Sequence, residues 1–400
     1  MLFQDPLHEQ LAGWTLAFLP YGAADHGVVA HIAGTVGDGG DDAFYDAWTA
    51  AGARRMEEAR AALAHGHPDS AREALLHAAT YYGKAYHPLY GAPVDPRLLA
   101  GARRQYDAFQ QALALDEFPG MRLEIPFEDG ALPAWLIPAR VHDKARRPLV
   151  IFTNGYDATV PDAYFGAAVA ASKRGYHGIV FDGPGQGMAL FEQGLHLRPD
   201  WETVVRAVFD VAQGLSSVDP ERIALYGWSL GGYLAPRAAA HEPRLAACIA
   251  DPGRIAVADG FRAAAIRFGL DPAQARDLGA LPDAVLARME QAFMHDRVRR
   301  WSVAGRGYWV HGVDNLRDYL ASVERFTLAD SIKRIRCPTL VTRAEDDPLA
   351  DGAQAFYDGL DCPKTLLRFS AQDAAGGHCE MGNRSLLNRR VLDWLDELFI

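Results

Sequence analysis

Cysteine is scarce: Cys248, Cys337, Cys362 and Cys379 are the four in 400 residues, and no two form a CxxC pair or take metal-ligand spacing with histidine. That excludes a disulfide framework and a cysteine-ligated metal, and fits free thiols in a reducing cytosol. No uncharged apolar run reaches the roughly 20 residues that a spanning helix needs, so no membrane is expected. Positive charge is in deficit too. A formal net charge of -11 and a pI near 5.7 set the average surface against nucleic acid and anionic lipid, and neither is an expected partner. The opening MLFQDPLHEQLAGW puts Asp5, Pro6 and Glu9 where a secretory leader needs a basic start and an apolar core. A soluble, cytoplasmic protein is the expectation.

What is present is ordinary for a globular chain, with 49% hydrophobic and 23% charged residues. Four hundred residues exceed what one core usually serves, so an accessory helical region is expected beside a catalytic domain. Residues 1–118 carry apolar residues at helical spacing over 44–65, 70–86 and 95–115, and form the expected N-terminal helical domain. Ser70 reads as the N-cap of the second of these helices, and Pro96 falls in the first turn of the third. From 119 the texture changes. β-rich runs at 121–127, 132–138, 148–154, 176–182, 222–227, 244–251, 337–343 and 364–370 alternate, after the first three, with amphipathic segments. The pattern predicts an α/β fold with a mostly parallel eight-stranded sheet flanked by helices, in a catalytic domain spanning 119–400. Residues 252–332, helical in period and without a strand, read as a lid inserted over the carboxyl edge of that sheet.

The chemistry begins at YGWSLGG (226–232), where Gly227, Ser229 and Gly231 form GxSxG between a strand and a helix. A sharp strand-to-helix turn of this kind holds a serine in a strained conformation that only small neighbours tolerate, at the positive end of the following helix. Serine needs a base, and the base an orienting carboxylate. TRAEDDPLAD (342–351) follows the seventh strand and offers Asp347, with Asp346 as its rival and Glu345 as a solvated loop charge. AAGGHCEMG (374–382) follows the eighth and sets His378 on a glycine-flanked loop, with Cys379 read as packing. An oxyanion calls for two donors, and the Leu230 amide and the Tyr156 amide in TNGYDAT (153–159) are the candidates. Asp157 beside them either caps a helix starting near Val160 or meets substrate. FDGPGQG (181–187) lacks the GxGxxG order and reads as a turn packing beneath the site. In the insertion, Tyr308, Trp309 and His311 of RGYWVHGVDN, with Tyr319 just beyond, either line a pocket for a flat substrate or pack a helix core. No phosphate cradle, cofactor motif or metal constellation appears, so the expected partner is a small-molecule substrate and the expected cofactor none.

These motifs together, with SAREALLHAATYYGKAY (70–86), LHLRPDWETVV (195–205), HEPRLAACIADPG (241–253) and GGHCEMGNRSLLNRRVLDWL (376–395), resemble one group of the α/β-hydrolase superfamily. It comprises the FrsA-like proteins, the 2,6-dihydroxypseudooxynicotine hydrolases and the fungal hydrolases that shorten polyketide pigment precursors. The likeness spans nearly the whole chain. It implies a Ser-His-Asp hydrolase with a helical cap, often a homodimer, acting on carbon-carbon bonds next to a ketone or on esters, with Ser229, Asp347 and His378 at the catalytic positions. Asp157 falls where the nicotine-pathway branch has a glutamate near its substrate, and the shorter acid is a departure. The resemblance also admits a non-catalytic, ligand-binding relic, although here all three catalytic positions are filled.

Overall fold

The computed structural model describes residues 1–399. Five helices come first: α1 (Pro6–Ala17), α2 (His26–Val36), α3 (Asp41–Ala64), α4 (Pro68–Ala85) and α5 (Pro96–Ala114). Two of their starts are set by local chemistry. The Asp5 carboxylate accepts the Leu7 and His8 amides, the Asp95 carboxylate accepts the Arg97 amide, and the proline after each aspartate loses nothing by lacking an N–H in the first turn. Ser70, expected as an N-cap, is not one. The helix starts at Pro68, whose fixed φ suits a first helical position, and Ser70 lies inside the first turn. Phe44, Trp48 and Ala51 recur at helical spacing on the buried face of α3, which approaches α4 so closely that a Cβ on Gly52 would lie 2.7 Å from the Tyr82 ring.

The sheet has the order β1–β2–β4–β3–β5–β6–β7–β8. Its strands are β1 (Met121–Phe127), β2 (Gly130–Ile137), β3 (Arg147–Thr153), β4 (His177–Phe181), β5 (Val218–Trp228), β6 (Ala247–Asp251), β7 (Thr339–Ala344) and β8 (Lys364–Phe369). Only β1–β2 and β2–β4 pair antiparallel, and every pair from β4 across to β8 is parallel. The inner strands β3, β4 and β6 are near-continuous apolar runs, as helices on both faces require. Strand β6 is shorter than the pattern predicts because Arg244, held to Glu242 by side-chain hydrogen bonds of 2.7 and 2.6 Å, stays in the preceding turn.

Between β6 and β7 the chain leaves the sheet through a narrow neck. The Val257 amide donates to the Phe326 carbonyl at 3.1 Å and the Leu328 amide to the Ile255 carbonyl at 2.8 Å, flanking a single β-bridge between Ala256 and Thr327. Beyond it, helices Asp259–Arg267, Asp283–His295 and Leu316–Glu324 enclose a small core of their own around Leu278, Met289 and Leu320. Arg297 of this insertion pairs with Asp5 at 3.1 Å and also with Asp41, tying it to the amino-terminal helices.

Candidate active site

Strand β5 ends at Trp228 and the helix Gly231–Ala239 begins three residues later, with Ser229 in the turn at φ 58°. A side chain rarely adopts that left-handed region, and holding one there costs roughly 1–3 kcal/mol. The glycines on either side make the turn possible. A Cβ on Gly227 would stand 1.9 Å from the Gly231 carbonyl oxygen, and one on Gly231 would stand 2.4 Å from that of Thr153.

Two loops at the carboxyl edge bring their side chains to this serine. The Ser229 hydroxyl lies 2.8 Å from His378 Nε2, and His378 Nδ1 lies 2.9 Å from the Asp347 carboxylate, whose other oxygen accepts the Leu349 amide at 2.9 Å. In the tautomer these partners dictate, Nδ1–H donates to Asp347 and Nε2 accepts from Ser229. Burial raises the Asp347 carboxyl, but the hydrogen bond and charge of His378, then the Leu349 amide and the Arg254 charge, hold it below the usual carboxylate range. Asp346 points elsewhere. Exposed, it accepts the Gly377 amide at 3.1 Å, and it crowds Gly376 so closely that a Cβ there would meet its carboxylate at 2.3 Å. Glu345, expected as a solvated loop charge, is exposed and accepts the Ala371 amide at 3.1 Å.

The Leu230 and Tyr156 amides, the expected oxyanion donors, have no hydrogen-bond acceptor among the described residues. The loop that carries Tyr156 is fixed from below. Gln186 Nε2 donates to the Asn154 and Gly155 carbonyls at 2.8 and 3.0 Å, and the Trp228 indole donates to Asn154 Oδ1 at 3.1 Å. FDGPGQG therefore does pack beneath the site, and its working residue is Gln186, which the glycine pattern alone did not single out.

A cavity of about 620 Å³ opens above Ser229, Leu230 and His378. Its walls come from three parts of the chain: Trp14 of α1, Lys84 at the end of α4, and Phe261, Phe293 and Arg306 of the insertion. Trp14 stands edge-on to the His378 ring, with centroids 6.2 Å apart. The aromatic stretch of the insertion is placed differently from the pocket-lining expectation. Trp309 stacks on Phe191 at 5.6 Å, Tyr308 packs on Tyr319 at 5.7 Å, and none of Tyr308, Trp309 and His311 lines the cavity, although Tyr319 does. His311 is buried behind the wall, where Nδ1 faces the Ser322 hydroxyl at 2.8 Å and Nε2 accepts the Tyr156 hydroxyl at 2.5 Å. Burial, aided by the charges of Arg306, His196 and Arg325, lowers His311 to about 3, which keeps it neutral. Asp157 lines the cavity but caps no helix, since Thr159 and Asp162 form the capping box there. Its carboxylate instead accepts Arg306 Nη1 at 3.1 Å.

The comparisons with known proteins agree with this architecture. The model of the Alpha/beta hydrolase family matches residues 150–384, and that of the Esterase FrsA-like family matches 30–257. Hydrolase LUC6 of Fusarium sp is 31% identical over 412 residues, covering 96% of this chain and 94% of that protein. The 20-hydroxy-prefusarin hydrolase FUS2 of Gibberella moniliformis is 31% identical over 402 residues, with the same 96% and 94% coverage. Among solved structures, the 2,6-dihydroxy-pseudo-oxynicotine hydrolase superposes with a TM-score of 0.73 over 96% of each chain at 22% identity, a likeness of fold. The chain belongs to the alpha/beta hydrolase family, and it is a hydrolase.

Proposed function

We propose that the protein cleaves a carbon-carbon bond beside a ketone in a polyketide or aromatic substrate, through an acyl-enzyme on Ser229. The observation that carries this reading is the continuous relay from Asp347 through His378 to the Ser229 hydroxyl, with contacts of 2.9 and 2.8 Å, on the floor of a cavity of about 620 Å³. Ser229 Oγ attacks the carbonyl carbon while its proton passes to His378 Nε2, and Asp347 stabilises the imidazolium. The Leu230 and Tyr156 amides receive the oxyanion. Collapse breaks the carbon-carbon bond, the departing enolate takes its proton from His378, and the acyl group stays on Ser229. Water, deprotonated by His378, then releases a carboxylic acid. The names of the 20-hydroxy-prefusarin hydrolase and the 2,6-dihydroxy-pseudo-oxynicotine hydrolase point to large or aromatic substrates in those proteins, and the size of this cavity suits one here.

A carboxylesterase is the second reading, and one observation favours it. Asp157, the acid nearest the oxyanion loop, is engaged by Arg306 at 3.1 Å, which leaves the leaving group to His378 alone, and an alkoxide needs no second group. An aryl β-diketone tests the two. Conversion to an aryl acid and a methyl ketone, absent in Ser229→Ala, supports carbon-carbon cleavage. Turnover of p-nitrophenyl esters with an untouched diketone supports the esterase.

A further inference from the structure

The cavity above Ser229 differs in charge from the protein that encloses it. The chain has a formal net charge of -11, yet the cavity wall carries Lys84, Arg254, Arg267, Arg299 and Arg306 against only two carboxylates, Asp157 and Asp162. Two of these cations are matched. Lys84 Nζ meets Asp162 at 3.0 Å, and Arg306 meets Asp157 at 3.1 Å. Arg254, Arg267 and Arg299 are not matched: among the described residues no carboxylate stands within 4.0 Å of their guanidinium groups. Arg267 and Arg299 are exposed and solvated by water.

Arg254 is a different case, because it is half-buried and part of its guanidinium is shut off from water. It follows β6, and its Nη2 donates to the Leu349 carbonyl at 2.9 Å, which binds it to the loop that carries Asp347. Its Nε is buried and has no acceptor among the described residues. Asp347 is near enough to feel its charge, but that carboxylate is already occupied by His378 and the Leu349 amide, and Asp259 acts on it only at longer range. Burial pushes the Arg254 guanidinium below the ordinary arginine range, and those nearby negative charges only partly restore it. A guanidinium has five N–H donors in a planar fork suited to a carboxylate, and a half-buried one that meets a single carbonyl and no carboxylate keeps donors free for an anionic ligand.

Resting on the serine-hydrolase reading of this cavity, we propose that the substrate is an anion: an aryl or polyketide chain bearing a carboxylate that pairs with Arg254 while its carbonyl lies at Ser229. Its apolar body packs against Trp14, Phe261 and Phe293, and Arg267 and Arg299 at the cavity wall draw it in through their charge.

Binding tests this without any need for turnover. The wild-type protein is titrated by calorimetry at neutral pH with 4-phenylbutanoate and with the neutral 4-phenylbutan-1-ol, neither of which carries a bond to hydrolyse. The acid is expected to bind about tenfold more tightly or better, a difference that high salt narrows and that Arg254→Gln largely removes, while Arg254→Lys keeps part of it. Failure of the acid to bind, equal binding of acid and alcohol, or a full preference persisting in Arg254→Gln overturns the proposal. If the glutamine variant does not fold, the comparison of acid with alcohol on the wild type decides alone. Labelling of Ser229 by a fluorophosphonate, followed separately, reports on the hydrolase reading, so loss of one result is not mistaken for loss of the other.

Discussion

The Ser229 amide donates to the Asp251 carbonyl at 2.6 Å, which fastens the serine turn to the end of β6 through a residue whose own side chain sits in a fully buried ion pair. The Asp251 carboxylate accepts the Tyr226 hydroxyl at 2.9 Å, the Thr342 hydroxyl at 2.9 Å and Arg384 Nη1 at 3.1 Å. Arg384 also donates to the Cys379 carbonyl at 2.8 Å, so the serine turn and the histidine loop rest on the same buried charges. Burial and then the Asp251 charge push the neighbouring Glu380 carboxyl well up, which leaves Asp251 as the partner of the arginine.

Removing that arginine strands a buried carboxylate. Arg384→Met is expected to lower stability by about 3–5 kcal/mol, read as a fall in the urea midpoint at unchanged slope. A loss below about 1 kcal/mol contradicts the role given to the pair.

The two adjacent aspartates should separate in kinetics. Asp347→Asn disturbs the tautomer of His378 and is expected to lower kcat by about 10⁴-fold. In Asp346→Asn the side-chain oxygen still accepts the Gly377 amide, and kcat is expected to stay within about tenfold of the wild type. Comparable losses in both would reject Asp347 as the orienting acid.

Acid should weaken the fold partly through His311. Its folded value of about 3 lies below its ordinary 6.5, so the unfolded chain binds the extra proton first; the stability this gives is complete above pH 6.5 and declines as pH falls toward 3. Between pH 6.5 and about 5 the residue accounts for a loss of about 2 kcal/mol. His311→Gln lacks this titration, and its unfolding free energy should change correspondingly less over that interval. An identical pH slope in variant and wild type counts against a neutral buried His311.

Cys379 lies 3.2 Å from the Ser229 amide and 3.5 Å from His378 Nε2, yet it is 1% exposed and burial pushes its thiol well up. Iodoacetamide is expected to leave Cys379 unmodified in the native protein and activity intact, with peptide mass spectrometry locating any adduct. Rapid alkylation at Cys379 with loss of activity contradicts a packing role.

Much of the architecture is legible along the chain because it is local. The GxSxG of residues 227–231 sits between a strand and a helix, and Asp347 and His378 lie on the segments that directly follow β7 and β8, at the same edge of the sheet as Ser229. What is not legible depends on long separations. Trp14 reaches the cavity from α1, and the partner of Asp157 is Arg306, 149 residues away. The stretch containing Tyr308, Trp309 and His311 has the composition of a pocket wall and of a helix core alike, and periodicity does not say which side of an inserted helix meets the sheet. Ser70 shows a smaller ambiguity: a good capping residue lost to a proline two positions earlier.

The most direct measurement is the intact mass of the protein after treatment with a fluorophosphonate, followed by peptide mapping. One covalent adduct on Ser229, absent from a folded Ser229→Ala variant, is the predicted result. An unmodified wild-type protein, or an adduct of equal yield in the alanine variant, contradicts Ser229 as the nucleophile.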